Sequence, residues 1–168
     1  LEALAAMHKQ GISHNDIKFE NILIRSLPGS RVEVAICDFD LASRQDSPAT
    51  LGGTLQYCSP EKFAIVEREE DVSTILHTRE KADIWSLGLI LYTLFQRAAP
   101  DHLCYDSGSR ELEERIDYFV SNRKCFGSFY EEPQDRGSPE HCIWQMLQLN
   151  YENRITAAEA LEKFQQFT

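Results

Sequence analysis

The chain has 168 residues, 42% of them hydrophobic and 26% charged, with a formal net charge of -10. That length and mix suit one soluble globular unit with a single core, and the acidic balance argues against nucleic acid or an anionic membrane as a main partner. No apolar run approaches the roughly 18 residues that a membrane span needs, and no signal-peptide pattern is visible.

The five cysteines, Cys37, Cys58, Cys104, Cys125 and Cys142, are scattered and lack C-x-x-C spacing. They read as reduced thiols of a cytoplasmic or other intracellular protein, not as zinc ligands.

In chain order, Leu1, Leu4, Ala5 and His8 fall at i, i+3, i+4 and i+7, and Gly11 stands where a helix C-cap glycine would. The spacing predicts the end of an amphipathic helix. Next, Ile22 to Ile24 and Arg31 to Ile36 are β-prone runs flanking Pro28-Gly29-Ser30, the clearest turn signal in the chain. This predicts a β-hairpin whose two ends emerge together, with Asn21 beside Asp38. Asp16 and Lys18 lie a few residues upstream, so two carboxylates, an amide and an ammonium should share one small region. That set suits phosphoryl transfer with magnesium, which prefers one or two carboxylate-type oxygens plus phosphate.

Leu41 to Cys58 is polar and turn-rich and reads as a loop. Ser43, Ser47 and Thr50 are candidate phosphorylation sites there, and equally well plain solvated hydroxyls. Lys62 to Glu80 contains the acidic run Glu67 to Asp71, read as a solvated face in preference to a docking site. Lys81 to Phe95 has no consistently polar stripe, so it is expected to be a helix buried on every side. Asp83 near its start suits the helix dipole. Glu111 to Val120 reads as an amphipathic helix and Cys125 to Gly137 as a loop. Ser138-Pro139 should open a further helix as N-cap and first residue, with Ile143, Met146 and Leu147 inward. Thr156-Ala157-Ala158-Glu159 is a capping box opening the last helix, which should bury Ala160, Leu161 and Phe164.

The run His14-Asn15-Asp16, Lys18, Asn21, Asp38-Phe39 resembles the catalytic loop and metal-binding segment of eukaryotic-type protein kinases, H-R-D-x-K-x-x-N and D-F-G. Ser59-Pro60-Glu61 and Asp83-Ile84-Trp85-Ser86-Leu87-Gly88 extend the resemblance in the same order. It implies a mainly α-helical, kinase-like C-terminal lobe over residues 1–168: a helical bundle around one buried central helix, with a small hairpin at the active edge. The family's N-terminal lobe, with its Gly-rich loop, strand lysine and adenine-binding hinge, would lie upstream of Leu1.

The resemblance also implies roles. Asp16 would accept or orient the proton of the substrate hydroxyl, and Lys18 would neutralise charge on the transferring phosphoryl group. Asn21 and Asp38 would hold magnesium, while Glu20, Leu23 and Cys37 would line the ribose and adenine of ATP. Thr54, in the frame from Gly53 to Glu61, would contact Asp16 and Lys18, and with Lys18 it favours serine or threonine over tyrosine in a protein substrate. Leu41 to Cys58 resembles the activation segment. Asp83 would accept hydrogen bonds from the catalytic-loop backbone, Arg154 would pair with Glu61, and His14 and Phe39 would be packing aromatics.

Two departures stand out. Asn15 replaces the arginine that in many kinases pairs with a phosphorylated activation loop, which puts that mode of activation in doubt. Asp40 replaces the glycine of D-F-G, restricting the backbone and adding charge beside Asp38.

The expected activity is transfer of the γ-phosphoryl group of ATP to a protein serine or threonine hydroxyl, with these 168 residues alone inactive for want of the N-terminal lobe. One alternative is a pseudokinase or truncated lobe acting as a non-catalytic binding module. Another is a metal-dependent hydrolase using Asp16, Asn21 and Asp38, which would leave Lys18, Thr54, Glu61 and Arg154 unexplained.

Overall fold

The left-handed conformation that ends the first helix falls on the glycine expected to take it. In the computed structural model, α1 spans Glu2–Lys9 and Gly11 follows at φ +67. The model describes residues 1–29, 31–47, 52–63, 73–97, 114 and 131–167, the side chains of 73–77 excepted. The expected helix Glu111 to Val120, apart from Glu114, lies outside the described residues. So do Thr50, Glu67 to Asp71, Cys104 and Cys125.

Strand β1, Ile12–Ser13, follows α1. The hairpin forms as expected but with a longer first arm: β2 is Ile22–Leu27 and β3 is Arg31–Ile36. Their register runs from Ile22 opposite Ile36 to Leu27 opposite Arg31, and Gly29 makes the turn at φ +78. Strand β4, Ser43–Arg44, returns to pair antiparallel with β1. Nothing in the composition of two dipeptides announces that second sheet. It follows from the chain doubling back after the hairpin, and it lays the start of the polar loop alongside the entry to residues 14–18.

The central helix α2 spans Ser73–Gln96, beginning eight residues before the expected Lys81. Its middle is buried all round: Ile84, Trp85 and Leu89 have no exposed surface. The end differs from expectation, because Leu94 and Phe95 are exposed. Helix α3, Pro139–Met146, is capped by Ser138 Oγ, which accepts from the His141 amide at 3.2 Å, and Ile143, Met146 and Leu147 face the core.

Helix α4, Ala157–Gln165, opens with the complete capping box: Thr156 Oγ1 accepts from Glu159 N at 3.2 Å, and the Glu159 carboxylate accepts from Thr156 N at 2.7 Å. Ala157 and Ala160 are buried, whereas Leu161 and Phe164 are only half-buried, because they border an open groove along the hairpin. Leu4, Ile17 and these inward faces of α2, α3 and α4 form one core. Each fully buried aliphatic side chain there contributes about 1.5 to 3 kcal/mol. Among the described residues no helix is long and apolar enough to cross a membrane.

Candidate active site

The loop between β1 and the hairpin is shaped by a carboxylate in α2. Asp83, 1% exposed, accepts from His14 N at 2.7 Å through Oδ2 and from Asn15 N at 2.8 Å through Oδ1. His8 Nε2, at 3.0 Å, donates to Oδ2 as well. Three donors satisfy a charge that would be costly to bury alone. They hold Asn15 at φ +67, a conformation asparagine tolerates better than most residues. His14 Nε2 lies 3.0 Å from the Cys37 carbonyl and must donate to it. The other ring nitrogen is then the acceptor facing Asp16 N at 3.4 Å. The His14 ring packs at 5.1 Å from that of Phe39.

This loop presents Asp16 to three of the residues singled out with it. Lys18 Nζ donates to Asp16 Oδ2 at 2.7 Å; Thr54 N and Oγ1 donate to Oδ1 at 2.8 and 2.9 Å. Lys18 Nζ also reaches Thr54 Oγ1 at 3.0 Å, closing a triangle. Asn21 Nδ2 donates to the Asp16 carbonyl at 2.9 Å and to its Oδ2 at 3.3 Å. Burial works to raise the Asp16 pKa, but the bonds from Lys18 and Thr54 together outweigh it and hold the carboxyl below its ordinary value. Lys18 moves up, chiefly through its bond to Asp16, with the charges of Glu20 and Asp38 adding to it.

The hairpin register brings Asn21 opposite Cys37, with Cys37 N donating to Asn21 O at 3.0 Å. Asp38 follows as an exposed residue at φ +63, so it stands one step beyond the position directly beside Asn21. Both partners of the Asn21 amide nitrogen are acceptors, so its side-chain oxygen points away from Asp16. An amide oxygen and a carboxylate form the hard donor set that magnesium takes alongside water and phosphate. Among the described residues no cluster of three or more His, Cys, Asp or Glu side chains forms a metal centre. Pairing places Leu23 and Ala35 on one face of the hairpin, and alternation along β3 puts Cys37 on the same face. Glu20 is exposed.

Gly53, at φ +134, lets Thr54 approach Asp16: a Cβ there would lie 2.8 Å from the Asn15 carbonyl. A pocket of about 100 Å³ opens beside Asp16, Thr54 and Cys58. Burial pushes the Cys58 thiol up to about 12, leaving it protonated at neutral pH. Cys37, Cys58 and Cys142 are all free thiols. Asp40 does not occupy the left-handed region, so the backbone there accommodates a side chain.

Two cations beside the site were not singled out in the sequence. Lys62, 8% exposed, donates to the carbonyls of Gly52 and Asn15. Arg79 donates into residues 43–47. The available signal for Arg79 was its place one helical turn before Asp83, which puts both on one face of α2. Farther off, Glu61 takes two bonds from Arg154, at 2.8 and 2.9 Å, and Arg154 also stacks 5.1 Å over the Trp85 ring.

The sequence matches the protein kinase domain family over residues 1–164. It is 33% identical over 166 residues to the serine/threonine-protein kinase cds1 of Schizosaccharomyces pombe, covering 96% of this chain and 33% of that protein. It is 28% identical over 165 residues to serine/threonine-protein kinase 1 of Lymantria dispar multicapsid nuclear polyhedrosis virus, covering 97% and 53%. The chain thus spans about half, or less, of the length of these relatives. Among solved structures, that of the Rad53 kinase domain and SCD2 superposes with a TM-score of 0.61 at 27% identity, over 96% of this chain and 50% of that one. With the family model matched over residues 1–164 of the chain and the fold shared, the chain belongs to the protein kinase domain family.

Proposed function

We propose that these residues are the C-terminal lobe of a serine/threonine protein kinase that transfers the γ-phosphoryl group of ATP to a protein hydroxyl. The observation that carries this reading is the Asp16 carboxylate, held by Lys18, Thr54 and Asn21 in one hydrogen-bonded cluster. Bound magnesium, held by Asn21 and Asp38, would supply charge neutralisation at the phosphates.

Within the cluster, Asp16 has a lowered pKa and is therefore a weak base suited to orienting the acceptor hydroxyl, taking its proton only as the oxygen's bond to phosphorus forms. Lys18 stays cationic and faces the phosphoryl group. Thr54 holds the two in register. Leu23 and Cys37 lie on the hairpin face that would meet the nucleotide base, with Glu20 toward the ribose.

The C-lobe assignment accords with the hairpin's exposed Leu23. Leu23 is 55% exposed on the face it shares with Ala35 and Cys37, which a nucleotide and a second lobe would cover, whereas Ile24, Val32 and Val34, 71%, 60% and 57% exposed, lie on the opposite face. The 168 residues alone are expected to be inactive, since the Gly-rich loop and the strand lysine are not among them.

The test is phosphorylation of a generic serine/threonine protein substrate by the full-length protein with magnesium and ATP, beside its Asp16→Asn variant. The variant is expected to lose about 10² to 10⁴ in rate while remaining folded. No transfer by either folded protein would instead support a non-catalytic pseudokinase.

A further inference from the structure

Arg79 lies outside the Asp16 cluster and is only 2% exposed. Its Nη1 donates to Ser43 Oγ at 3.1 Å and to the Arg44 carbonyl at 2.6 Å, and its Nη2 donates to the Ser47 carbonyl at 2.8 Å. Among the described residues it makes no ion pair, and its Nε is buried without an acceptor. A guanidinium buried against neutral acceptors forgoes the carboxylate or phosphate partner that usually compensates its desolvation. Burial accordingly pulls its pKa down, although it remains protonated.

The acceptors are not scattered. Ser43 Oγ also accepts from Asn15 Nδ2 at 2.9 Å, and the same amide donates to the Leu41 carbonyl at 2.7 Å. Asn15 N is in turn held by Asp83 Oδ1. A closed circuit therefore runs from Asp83 through Asn15 and Ser43 to Arg79, and both ends sit on one face of α2, four residues apart. The β1–β4 pairing lies across this circuit.

We infer that Arg79 is a positioning residue that fastens residues 43–47 to the loop bearing Asp16 through hydroxyl and carbonyl acceptors, so that this segment is set in place without a phosphate group. Asn15, at the position where the kinase resemblance implies a phosphate-pairing arginine, serves the same circuit as a short neutral donor. The inference rests on the kinase reading for its effect on rate and on the geometry alone for its effect on order.

The test uses the full-length protein, before and after treatment with a broad-specificity phosphatase, and its Arg79→Gln, Arg79→Lys and Ser43→Ala variants. Amide hydrogen exchange of residues 43–47 and 14–16 is read beside steady-state kinetics. Phosphatase treatment is expected to leave both exchange and kcat of the wild type within about twofold. Arg79→Gln should speed exchange about tenfold or more. It should also lower kcat about tenfold or more, with KM for ATP within about twofold. Arg79→Lys should restore part of both, because an ammonium can still reach one or two of the same acceptors.

Ser43→Ala deletes one acceptor only, and its smaller rise in exchange decides the matter if Arg79→Gln does not fold. Unchanged exchange in Arg79→Gln or Ser43→Ala, or loss of protection on phosphatase treatment, would overturn the inference. Exchange is read without turnover, so a wild type that is protected at 43–47 but transfers no phosphate would refute the kinase reading and leave the positioning role standing.

Discussion

Asp16 takes bonds from the Lys18 ammonium, the Thr54 amide and hydroxyl, and the Asn21 amide, and its pKa is lowered as a result. A carboxyl whose folded pKa lies below its unfolded one contributes stability that is fully present above the unfolded value and lost as pH falls through the folded one. The stability difference between wild type and Asp16→Asn should therefore stay constant from pH 8 to about pH 5, then move against the wild type at lower pH. Denaturant titrations across that range check this, and a change between pH 5 and 8 would contradict it. Gly53 matters for the same carboxylate. Gly53→Ala would force its Cβ against the Asn15 carbonyl at a φ that side chains rarely adopt. Drawing Thr54 away from Asp16 is expected to cost about 10² in kcat, measured on the full-length protein.

At the scale of elements, α2 and α3 approach each other closely because Gly88 carries no side chain. A Cβ there would meet Leu147 Cδ2 at 2.9 Å and Met146 Cβ at 3.1 Å. Gly88→Ala is expected to destabilise by about 1 to 3 kcal/mol through overpacking, outweighing the gain in helix propensity. Urea unfolding would show it as a lower midpoint with unchanged slope. The hairpin, the cap of α1, the Ser138 cap and the Thr156–Glu159 box were legible in the sequence because each is fixed by residues within a few positions of one another. The β1–β4 sheet was not, since two dipeptides such as Ile12–Ser13 and Ser43–Arg44 have no periodicity to read, and their pairing depends on where the intervening hairpin returns the chain. The early start of α2 at Ser73 escaped for a related reason: the apolar pattern begins later than the helix.

At the scale of the whole molecule, long-range contacts among the described residues hold the site to the core. Asp83 joins α2 to the loop carrying Asp16, and Arg154 joins the segment before α4 to Glu61 with two parallel bonds. Arg154 is 1% exposed and also donates to the carbonyls of Gln148 and Lys81. Arg154→Met would leave the Glu61 carboxylate buried without its cation and is expected to cost about 3 to 5 kcal/mol. Thermal or chemical denaturation would register it, and a loss under about 1 kcal/mol would mean the pair behaves like a surface bridge.

The sequence by itself determined the family frame: motif residues at fixed spacing, the hairpin that carries Asn21 and Asp38, the buried helix with Asp83, and the local caps. These are set by residue type and by separation along the chain. Only the tertiary structure decided that Asn21 faces Cys37 and not Asp38, that Arg79 is a buried donor to residues 43–47, and that Lys62 is one to Gly52 and Asn15. Lys62 lies 47 positions from Asn15, and Arg79 lies 35 from Arg44. A hydrogen bond between groups so distant exists only when the core has brought the two segments together, and neither residue type nor spacing encodes its geometry.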